Sequence, residues 1–263
     1  MKIKKLKKSL GQNFLIDQNI INIITDAGNI SKNDIILEVG PGSGNLTKEI
    51  LLKVPKKIFT VEKDTSLCKK LYEKYKNEIV IINDDILKIN EKNFSEDPML
   101  VFGNLPYNIS TQILVKWIKL DQLNKTFKKF VLMFQKEVAE RIIAKSKTKN
   151  YGRLSIISQW KMNVKKIMDI NPVSFYPKPK IQSSLLEFTP KSNFFNINDV
   201  KNLEILTKTL FNKRRKMIKN SIFNIVNKDD FANIKLNIDL NCRPQDLKPE
   251  QYYILTREIE KIN

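Results

Sequence analysis

The tetrapeptide Asn104-Leu105-Pro106-Tyr107 has the groups needed to hold an aromatic amine for alkylation. The exocyclic amine of adenine is a poor nucleophile because its lone pair is delocalised into the ring. The Asn104 side-chain oxygen and the Leu105 backbone carbonyl would each accept one N–H and draw the nitrogen toward tetrahedral geometry. Pro106 would fix the backbone that presents the second acceptor. Tyr107 would offer a flat face for base stacking, worth roughly 1–3 kcal/mol.

The alternative interpretation of this tetrapeptide is a tight turn after a strand, since Asn and Pro are common turn formers. A paired base cannot reach such a loop, so the target base must be flipped out or lie in an unpaired loop. Phe175, which precedes two closely spaced prolines, would stack on the other face of the base. Its own alternative is an aromatic side chain packed beneath a proline loop.

A candidate cofactor site precedes the tetrapeptide in the chain. Gly40 and Gly42 belong to a G-x-G-x-G run, and glycines let the backbone approach a ligand closely. Glu62 ends the second strand candidate, where a carboxylate is placed to accept both ribose hydroxyls. Asp85 follows the third strand candidate and suits the amino group of adenine. Asp84 is the alternative for this role, and spacing alone does not separate the two.

The glycine spacing indicates which cofactor the site would take. A dinucleotide site would show G-x-G-x-x-G, with the pyrophosphate at a helix N-terminus. Here Glu38 lies just before the glycines, and its carboxylate would repel a pyrophosphate. The same charge suits S-adenosylmethionine, which carries an ammonium and a sulfonium group. A plain strand-to-helix turn would explain the glycines alone, but together with Glu62 and Asp85 they favour S-adenosylmethionine over a nicotinamide cofactor.

The sequence contains no histidine and only two cysteines, Cys68 and Cys242. It therefore excludes Ser-His-Asp triads and histidine-ligated metals, and we expect neither a metal site nor a disulfide framework. Methyl transfer from a sulfonium needs no strong base, because the methyl is already activated and the nitrogen can release its proton to water. Catalysis would rest on positioning and orientation.

The charge balance favours a polyanionic partner. The chain has 47 Lys and Arg against 28 Asp and Glu, a net charge of +19. Neutralising phosphates with such residues releases counterions, which favours nucleic-acid binding. The alternative is a general richness in Lys, Asn and Ile that biased coding DNA would produce. Since no apolar run has membrane-span length and no secretory signal is recognisable, we expect a cytoplasmic monomer without membrane contact.

These residues lie between alternating strand and helix patterns. Strand candidates are 35–39, 57–61, 79–82, 99–102, 130–134, 164–170 and 184–188, and helical patterns include 45–52, 67–75, 135–145 and a segment capped by Asp17. Such alternation predicts an α/β fold, with a mostly parallel Rossmann-like sheet and right-handed crossovers. The proline-rich segment 172–179 cannot be a central strand, so the last two strands would form a hairpin at one sheet edge.

The pattern changes near residue 191, after which only helices are predicted, at 203–211, 217–225 and 252–259. We therefore predict a Rossmann-like catalytic domain over residues 1–190 and a small all-helical RNA-binding domain over residues 191–263. A basic run in the second domain would contact RNA phosphates, although a solvated helix face is the usual alternative. Its members are Lys213, Arg214, Arg215, Lys216 and Lys219.

The chain resembles the small-subunit ribosomal RNA adenine N6,N6-dimethyltransferases over nearly its whole length. The blocks that carry the resemblance are Leu10-Gly11-Gln12-Asn13-Phe14-Leu15, Glu38-Val39-Gly40-Pro41-Gly42, Gly103-Asn104-Leu105-Pro106-Tyr107-Asn108-Ile109-Ser110, Gln135-Lys136-Glu137-Val138, Tyr151-Gly152-Arg153-Leu154-Ser155, Pro177-Lys178-Pro179-Lys180 and Phe211-Asn212-Lys213-Arg214-Arg215-Lys216. Several such blocks in the same order are highly specific.

The resemblance implies S-adenosylmethionine-dependent dimethylation of two adjacent adenosines. They would lie in the loop of the 3′-terminal hairpin, helix 45, of 16S rRNA in the 30S particle, and the enzyme would take part in small-subunit biogenesis. The cofactor-contacting positions that it implies are Asn13, Leu15, Gly40, Glu62, Asp85 and Asn104. By themselves, Asn13 and Leu15 would indicate only a polar turn before a helix. Arg153 and Lys4, Lys5, Lys7 and Lys8 are further candidates for RNA contact.

Other functions remain as alternatives. A large-subunit rRNA methyltransferase of the macrolide-resistance type would share the fold and the loop, but Leu105, the block that begins at Gln135 and the helical tail favour the small-subunit enzyme. A non-catalytic ribosome-assembly factor would bind rRNA without turnover, but an intact Asn104 and Tyr107 favour activity. A nicotinamide dehydrogenase is disfavoured by the glycine spacing.

Overall fold

The computed structural model describes residues 12–232 and 238–262 of the chain. The strands are β1 (Phe14–Leu15), β2 (Ile35–Val39), β3 (Lys57–Val61), β4 (Val80–Ile82), β5 (Met99–Gly103), β6 (Phe127–Gln135), β7 (Met162–Ile170), β8 (Phe175–Tyr176) and β9 (Ser183–Pro190). The helices are α1 (Gln18–Gly28), α2 (Asn45–Leu52), α3 (Thr65–Tyr75), α4 (Ser110–Ile118), α5 (Leu123–Thr126), α6 (Lys136–Ile142), α7 (Arg153–Lys161), α8 (Val200–Asn212), α9 (Lys219–Ile222), α10 (Lys228–Ala232) and α11 (Pro249–Glu260). Short 3-10 turns cover Glu91–Asn93, Pro172–Ser174 and Pro244–Asp246.

The chain divides into two compact units. The first comprises Met1–Ala139 and Val164–Pro190, and the second comprises Glu140–Asn163 and Lys191–Asn263. Residues 140–163, which the sequence analysis assigned to the catalytic domain, thus group with the helical tail. The functional division into a catalytic and an RNA-binding domain stays a prediction.

A seven-stranded sheet in the order β4-β3-β2-β5-β6-β9-β7 forms the centre of the first unit. β2 pairs in parallel with β3 and β5, as do β3 with β4 and β5 with β6, whereas β9 is antiparallel to β6. β2 and β5 are fully buried along their length, as expected for central strands with both faces covered. The predicted α/β sheet and the edge position of the last two strands are confirmed.

The strand order creates a crevice at one edge of this sheet. β2 has β3 on one side and β5 on the other, so the order of the strands reverses at β2. The loops that leave the carboxyl ends of β2 and β5 therefore turn in opposite directions and open a ligand-binding space between them. Gly40 follows β2 and Asn104 follows β5, so both predicted motifs lie at this edge.

Helix α1 covers the sheet beside this crevice. The Asp17 side chain accepts hydrogen bonds from the amides of Asn19 and Ile20, which confirms the predicted cap. Ile24 is buried in the core that α1 shares with β5. At Gly28 a Cβ atom would lie 2.3 Å from the Phe102 ring, so only glycine permits this close packing of the helix end on the sheet.

The second unit is helical in its described residues after residue 190. Helices α7, α8 and α11 pack on one another, and the Tyr253 hydroxyl donates to the carbonyl of Ile156 at 2.6 Å. The predicted helix over 217–225 is wrong in extent, because only Lys219–Ile222 is α-helical. After Ile222 the chain continues in turns, in which the amides of Asn224 and Ile225 donate to the carbonyls of Ser221 and Ile222, three residues back.

Candidate active site

A cavity lies at the carboxyl ends of β2, β3, β4 and β5 in the first unit. The predicted site residues that line it are Asn13, Gly40, Gly42, Glu62, Asp84, Asp85, Asn104, Leu105, Pro106 and Tyr107. They come from segments that are far apart in sequence, and the parallel sheet brings these segments to one edge. The candidate cofactor residues and the candidate catalytic loop therefore share one cavity.

The glycine loop forms one wall of the cavity. Gly40 and Gly42 have φ angles of 71° and 57°, in the left-handed region that favours glycine. At Gly42 a Cβ atom would lie 2.7 Å from the Phe14 ring, which also lines the cavity. The loop can therefore follow this path only without side chains at these positions.

Glu62 lies beside the glycine loop with its carboxylate held from two directions. Its side chain is 8% exposed, and its two oxygens accept from the amides of Gly42 at 3.2 Å and Asp64 at 2.9 Å. Burial raises the pKa of Glu62, whereas the two backbone donors act in the opposite direction. The result is a fixed pair of acceptor oxygens at the end of β3, suited to a vicinal diol.

Both candidate aspartates line the cavity. Asp85 accepts from Lys63 Nζ at 2.8 Å and from the amide of Leu87 at 3.0 Å, and the hydrogen bond from Lys63 is the main reason why its pKa is lowered. Asp84 accepts from the amide of Asp85 at 2.6 Å. Asp85 is therefore an ionised acceptor held in place, and we keep it as the preferred candidate for an adenine amine.

Glu38, the acidic residue just before the glycine loop, is buried. Its side chain is 1% exposed and accepts from the Thr47 hydroxyl at 2.6 Å. Burial raises its pKa to about 7, and repulsion by Glu62 acts in the same direction. Near neutral pH its charge therefore depends on small changes in the environment.

The catalytic loop is anchored through Asn104. The side-chain nitrogen of Asn104 donates to the carbonyl of Asn13 at 2.7 Å. This bond fixes the amide plane, and within residues 12–232 and 238–262 no donor bonds to Asn104 Oδ1. Since Asn104 lines the cavity, the oxygen is available as an acceptor there. The Leu105 side chain is buried, so this residue contributes to the cavity mainly through its backbone.

The hydroxyl group of Tyr107 is fixed by a hydrogen bond. Its hydroxyl and the Oγ of Ser183 are 2.6 Å apart and hydrogen-bonded, and Ser183 is fully buried at the start of β9. Burial raises the pKa of Tyr107, so the phenol stays neutral. The ring therefore cannot swing freely, which favours its use as a stacking surface.

Leu15 and Phe175 lie outside this cavity. Leu15 lies in β1, directly opposite Phe175 in β8, and both side chains belong to the hydrophobic core of the first unit. Leu15 lines a smaller neighbouring pocket, together with Gly40 and Asn104. The Phe175 side chain is 2% exposed, whereas that of Tyr176 is 50% exposed. In a strand, successive side chains point to opposite faces, so the structure does not bring Phe175 to the cavity; its stacking role stays a prediction.

The basic candidates lie in the second unit, in a turn and at the start of helices rather than on one long helix face. The exposed ones are Arg153, Lys213, Arg215, Lys216 and Lys219. Arg214 is only partly exposed and donates to the carbonyls of Thr148 and Lys149 and to Gln245. Arg214 therefore has a structural role, because it connects the turn to two other segments of the second unit. Lys4, Lys5, Lys7, Lys8 and the Leu10-Gly11 start of the first sequence block lie outside the described residues.

The residues of the site that were not predicted from the sequence include three polar side chains. Gln12 and Lys63 line the cavity, and Ser183 holds Tyr107. Lys63 follows Glu62 directly, which is the only sequence signal for its place. Ser183 lies 76 positions from Tyr107, so their contact depends on the fold. The described residues contain no group of three or more metal-binding side chains, and no helix among them is long and apolar enough to span a membrane.

Comparison with known proteins identifies the family. The sequence profile described as ribosomal RNA adenine dimethylase matches residues 3–261. The chain belongs to this family. The resemblance carried by the sequence blocks is thereby confirmed.

Two relatives of this dimethylase chain are both named ribosomal RNA small subunit methyltransferase A. The protein from Pelagibacter ubique is 55% identical over 258 residues, which cover 98% of each chain. The protein from Wolbachia sp. subsp. Brugia malayi is 40% identical over 260 residues, 97% of this chain and 98% of the relative. The similarity thus extends over both units of the fold.

Solved structures agree with this assignment. A dimethyladenosine transferase from Plasmodium falciparum is similar with a TM-score of 0.78 and 28% identity, over 95% of this chain and 98% of the other. The 23S rRNA methyltransferase ErmE has a TM-score of 0.69 at 22% identity, over 94% and 100% of the two chains, which shows a shared fold. The predicted Rossmann-like methyltransferase fold is confirmed.

Proposed function

We propose that this dimethylase transfers methyl groups from S-adenosylmethionine to the N6 atoms of two adjacent adenosines. The target is the loop of the 3′-terminal hairpin of 16S rRNA, in the 30S particle or its precursor. The enzyme works as a monomer in the cytoplasm and takes part in small-subunit biogenesis. The observation that carries this proposal is that Asn104 and Tyr107 line the same cavity as Gly40, Glu62 and Asp85.

The donor set of the cavity fits S-adenosylmethionine. The Glu62 carboxylate offers two held oxygens for the ribose hydroxyls, and Asp85 offers an ionised acceptor for the adenine amine. The glycine loop allows the backbone to approach the ligand closely. Asn13 adds a polar group to the lining of the cavity. When bound, the cofactor supplies an activated methyl group, so the protein itself needs no strong base.

The catalytic loop then acts on the target adenine. In the first transfer, Asn104 Oδ1 and the Leu105 carbonyl accept hydrogen bonds from the two N–H groups of the N6 amine, which localises its lone pair; in the second transfer, the one remaining N–H donates to one of these two acceptors. Tyr107, held by Ser183, supports one face of the ring. The proton released after transfer leaves to water. Because these groups are preorganised, the rate gain arises mainly from orientation.

The exposed basic residues of the second unit would contact RNA phosphates. Such contacts set register and affinity but carry little sequence information. The choice of adenosine would then depend on the cavity and on the unpaired state of the loop, since a base within a duplex cannot enter. Similarity to the 23S enzyme ErmE concerns the fold and lends no support to a large-subunit substrate.

An acceptor assay tests the proposal. Purified protein and labelled S-adenosylmethionine are incubated with 30S particles from cells that lack this methylation, with 50S particles and with naked 23S rRNA. We expect incorporation into 30S particles alone, and mapping of the product should find N6,N6-dimethyladenosine at two adjacent positions of the 3′-terminal hairpin loop. Incorporation into 23S rRNA, or binding to 30S particles without any incorporation, would overturn the proposal.

A further inference from the structure

A partly buried lysine lies beneath the loop that carries Asp85. The ammonium group of Lys116, on α4, donates to the carbonyl of Ile86 at 2.7 Å, the carbonyl of Ile89 at 2.5 Å and the Glu91 carboxylate at 2.7 Å. A lysine ammonium has three N–H donors, so these acceptors use all of them. Two of the three bonds go to main-chain carbonyls, which means that Lys116 holds the path of the loop itself.

The carboxylate in this cluster makes the arrangement rigid. Glu91 is 1% exposed and also accepts from Trp117 Nε1 at 2.6 Å. Trp117 is fully buried and its indole packs on the rings of Phe127 and Phe130. A buried carboxylate needs a cation and further donors, and Lys116 and Trp117 supply both. Two neighbouring residues of one helix therefore hold the far end of the loop.

The loop after β4, which carries Asp85 and Ile86, forms the side of the cavity that is proposed to bind the adenine of the cofactor. Asp85 and Ile86 line the cavity, and the carbonyl of Ile86 is one of the three groups that Lys116 holds. Loops between strands are usually more mobile than the elements that they connect. We propose that Lys116 is a positioning residue that fixes the segment Asp85-Ile86 for recognition of the adenine amine of S-adenosylmethionine. This inference rests on the proposed function, since it assumes that Asp85 reads the cofactor.

The position of Lys116 also connects the two halves of the site. Helix α4 begins at Ser110, directly after the catalytic loop, and Lys116 lies on the same short helix. Helix α4, which follows the loop proposed to bind the target amine, thus also holds the loop proposed to bind the adenine of the cofactor. Lys116 touches no reacting atom, so its loss should weaken cofactor recognition and leave the chemical step nearly unchanged.

The test compares two probes that differ at position 6 of the purine, the group that Asp85 would read, and in the proton that the inosyl base carries at N1. S-adenosylhomocysteine carries the amine, and S-inosylhomocysteine carries an oxygen in its place, which would meet the Asp85 acceptor unfavourably. Affinities of the full-length protein for both are measured by calorimetry. The main variant is Lys116→Met with Glu91→Gln, because removal of Lys116 alone would leave a buried charge unpaired. Lys56→Met is the matched control, since it breaks an exposed ion pair with Asp97 at the amino end of β3.

We expect wild type and Lys56→Met to share the same strong preference for the adenosyl probe. In the double variant the preference should fall by about tenfold, the scale of one lost hydrogen bond. The KM for S-adenosylmethionine should rise by a similar factor, while kcat on 30S particles stays within about twofold of wild type. A merely structural role would lower the melting temperature without changing the preference between the probes.

The inference is overturned if the folded double variant keeps the full preference for the adenosyl probe. If the double variant does not fold, Lys116→Gln with Glu91→Gln decides, because it keeps polar side chains at both positions and still removes the ammonium group that holds the two main-chain carbonyls. An unchanged preference in that variant contradicts the inference, and a reduced one supports it. Failure of wild type to bind either probe would instead overturn the proposed cofactor site, and with it this assignment.

Discussion

The cavity of the first unit and the basic turn of the second unit are built in opposite ways. In the cavity, Glu62, Asn104 and Tyr107 are each held by a hydrogen bond to another segment. In the basic turn, Lys213, Arg215 and Lys216 are exposed side chains. Chemistry on a defined atom needs fixed geometry, whereas contact with a phosphate backbone needs only charge within reach. Substitutions in the cavity should therefore have sharp, local effects, and those in the turn gradual and salt-dependent ones.

The largest effect on cofactor binding is expected for Gly42→Ala. A side chain there would be strained at a φ of 57° and would meet the Phe14 ring. We expect the affinity for S-adenosylhomocysteine to fall by about a hundredfold, from strain of this kind. Calorimetry measures this affinity for wild type and for the variant. Gly152→Ala is the control, because its Cβ would find the nearest neighbour at 3.9 Å. Equal affinities in both variants would contradict the geometry of the loop.

Glu38 should make stability depend on pH. Its pKa is raised by burial from 4.5 to about 7 in the folded protein, so between these values the folded state binds a proton that the unfolded state has released. The free energy of unfolding should therefore fall as the pH rises through this window, by up to about 3 kcal/mol. Chemical denaturation at several pH values measures this trend. Glu38→Gln, which keeps an acceptor for Thr47, should remove most of it, and an unchanged slope would show that Glu38 is not its source.

The hydrogen bond between Tyr107 and Ser183 should contribute a smaller amount. Tyr107→Phe and Ser183→Ala each remove it and leave the ring or the strand in place. We expect each variant to lose about 1 kcal/mol of transition-state stabilisation, and the double variant to lose little more than either. Values of kcat/KM on 30S particles for wild type, both single variants and the double variant complete this double-mutant cycle. Fully additive losses would mean that the two side chains act independently.

The smallest single effects are expected in the basic turn. Arg215→Ala and Lys216→Ala should each weaken 30S binding severalfold and reduce the slope of log affinity against log salt by about one unit or less. Arg214→Ala should instead lower the melting temperature, because its guanidinium holds the carbonyls of Thr148 and Lys149. Identical behaviour of the three variants would remove the distinction between contact and structural residues in this turn.

Elements with a clear pattern of apolar and polar residues could be predicted from the sequence, and elements without one could not. Strands β2 and β3 were predicted residue for residue, because short apolar runs that end at glycine or acidic residues leave little choice. Helix α7 was missed because Ser155, Ile156, Ser158 and Trp160 are all buried, so it lacks the polar face that reveals a helix.

Within the site, residue types at strand ends indicated most of the cavity, but not its supports. Whether Phe175 or Tyr176 faces outward depends on the register of a two-residue strand. A register shift by one residue would exchange the faces of the two side chains. The partners of Asp85 and Tyr107, Lys63 and Ser183, follow from tertiary packing. Local patterns therefore located the chemistry, and the fold determined which neighbours hold it.

The central claim is that Asn104 Oδ1 accepts from the adenine amine while the Asn104 nitrogen is held by Asn13. The most direct test is the single-turnover rate of Asn104→Ala on 30S particles, with cofactor and particle affinities measured in parallel. We predict a rate lower by about a thousandfold, the scale lost with one preorganised polar group, and affinities within a few fold of wild type. A rate close to that of wild type, with both ligands bound, would contradict the account.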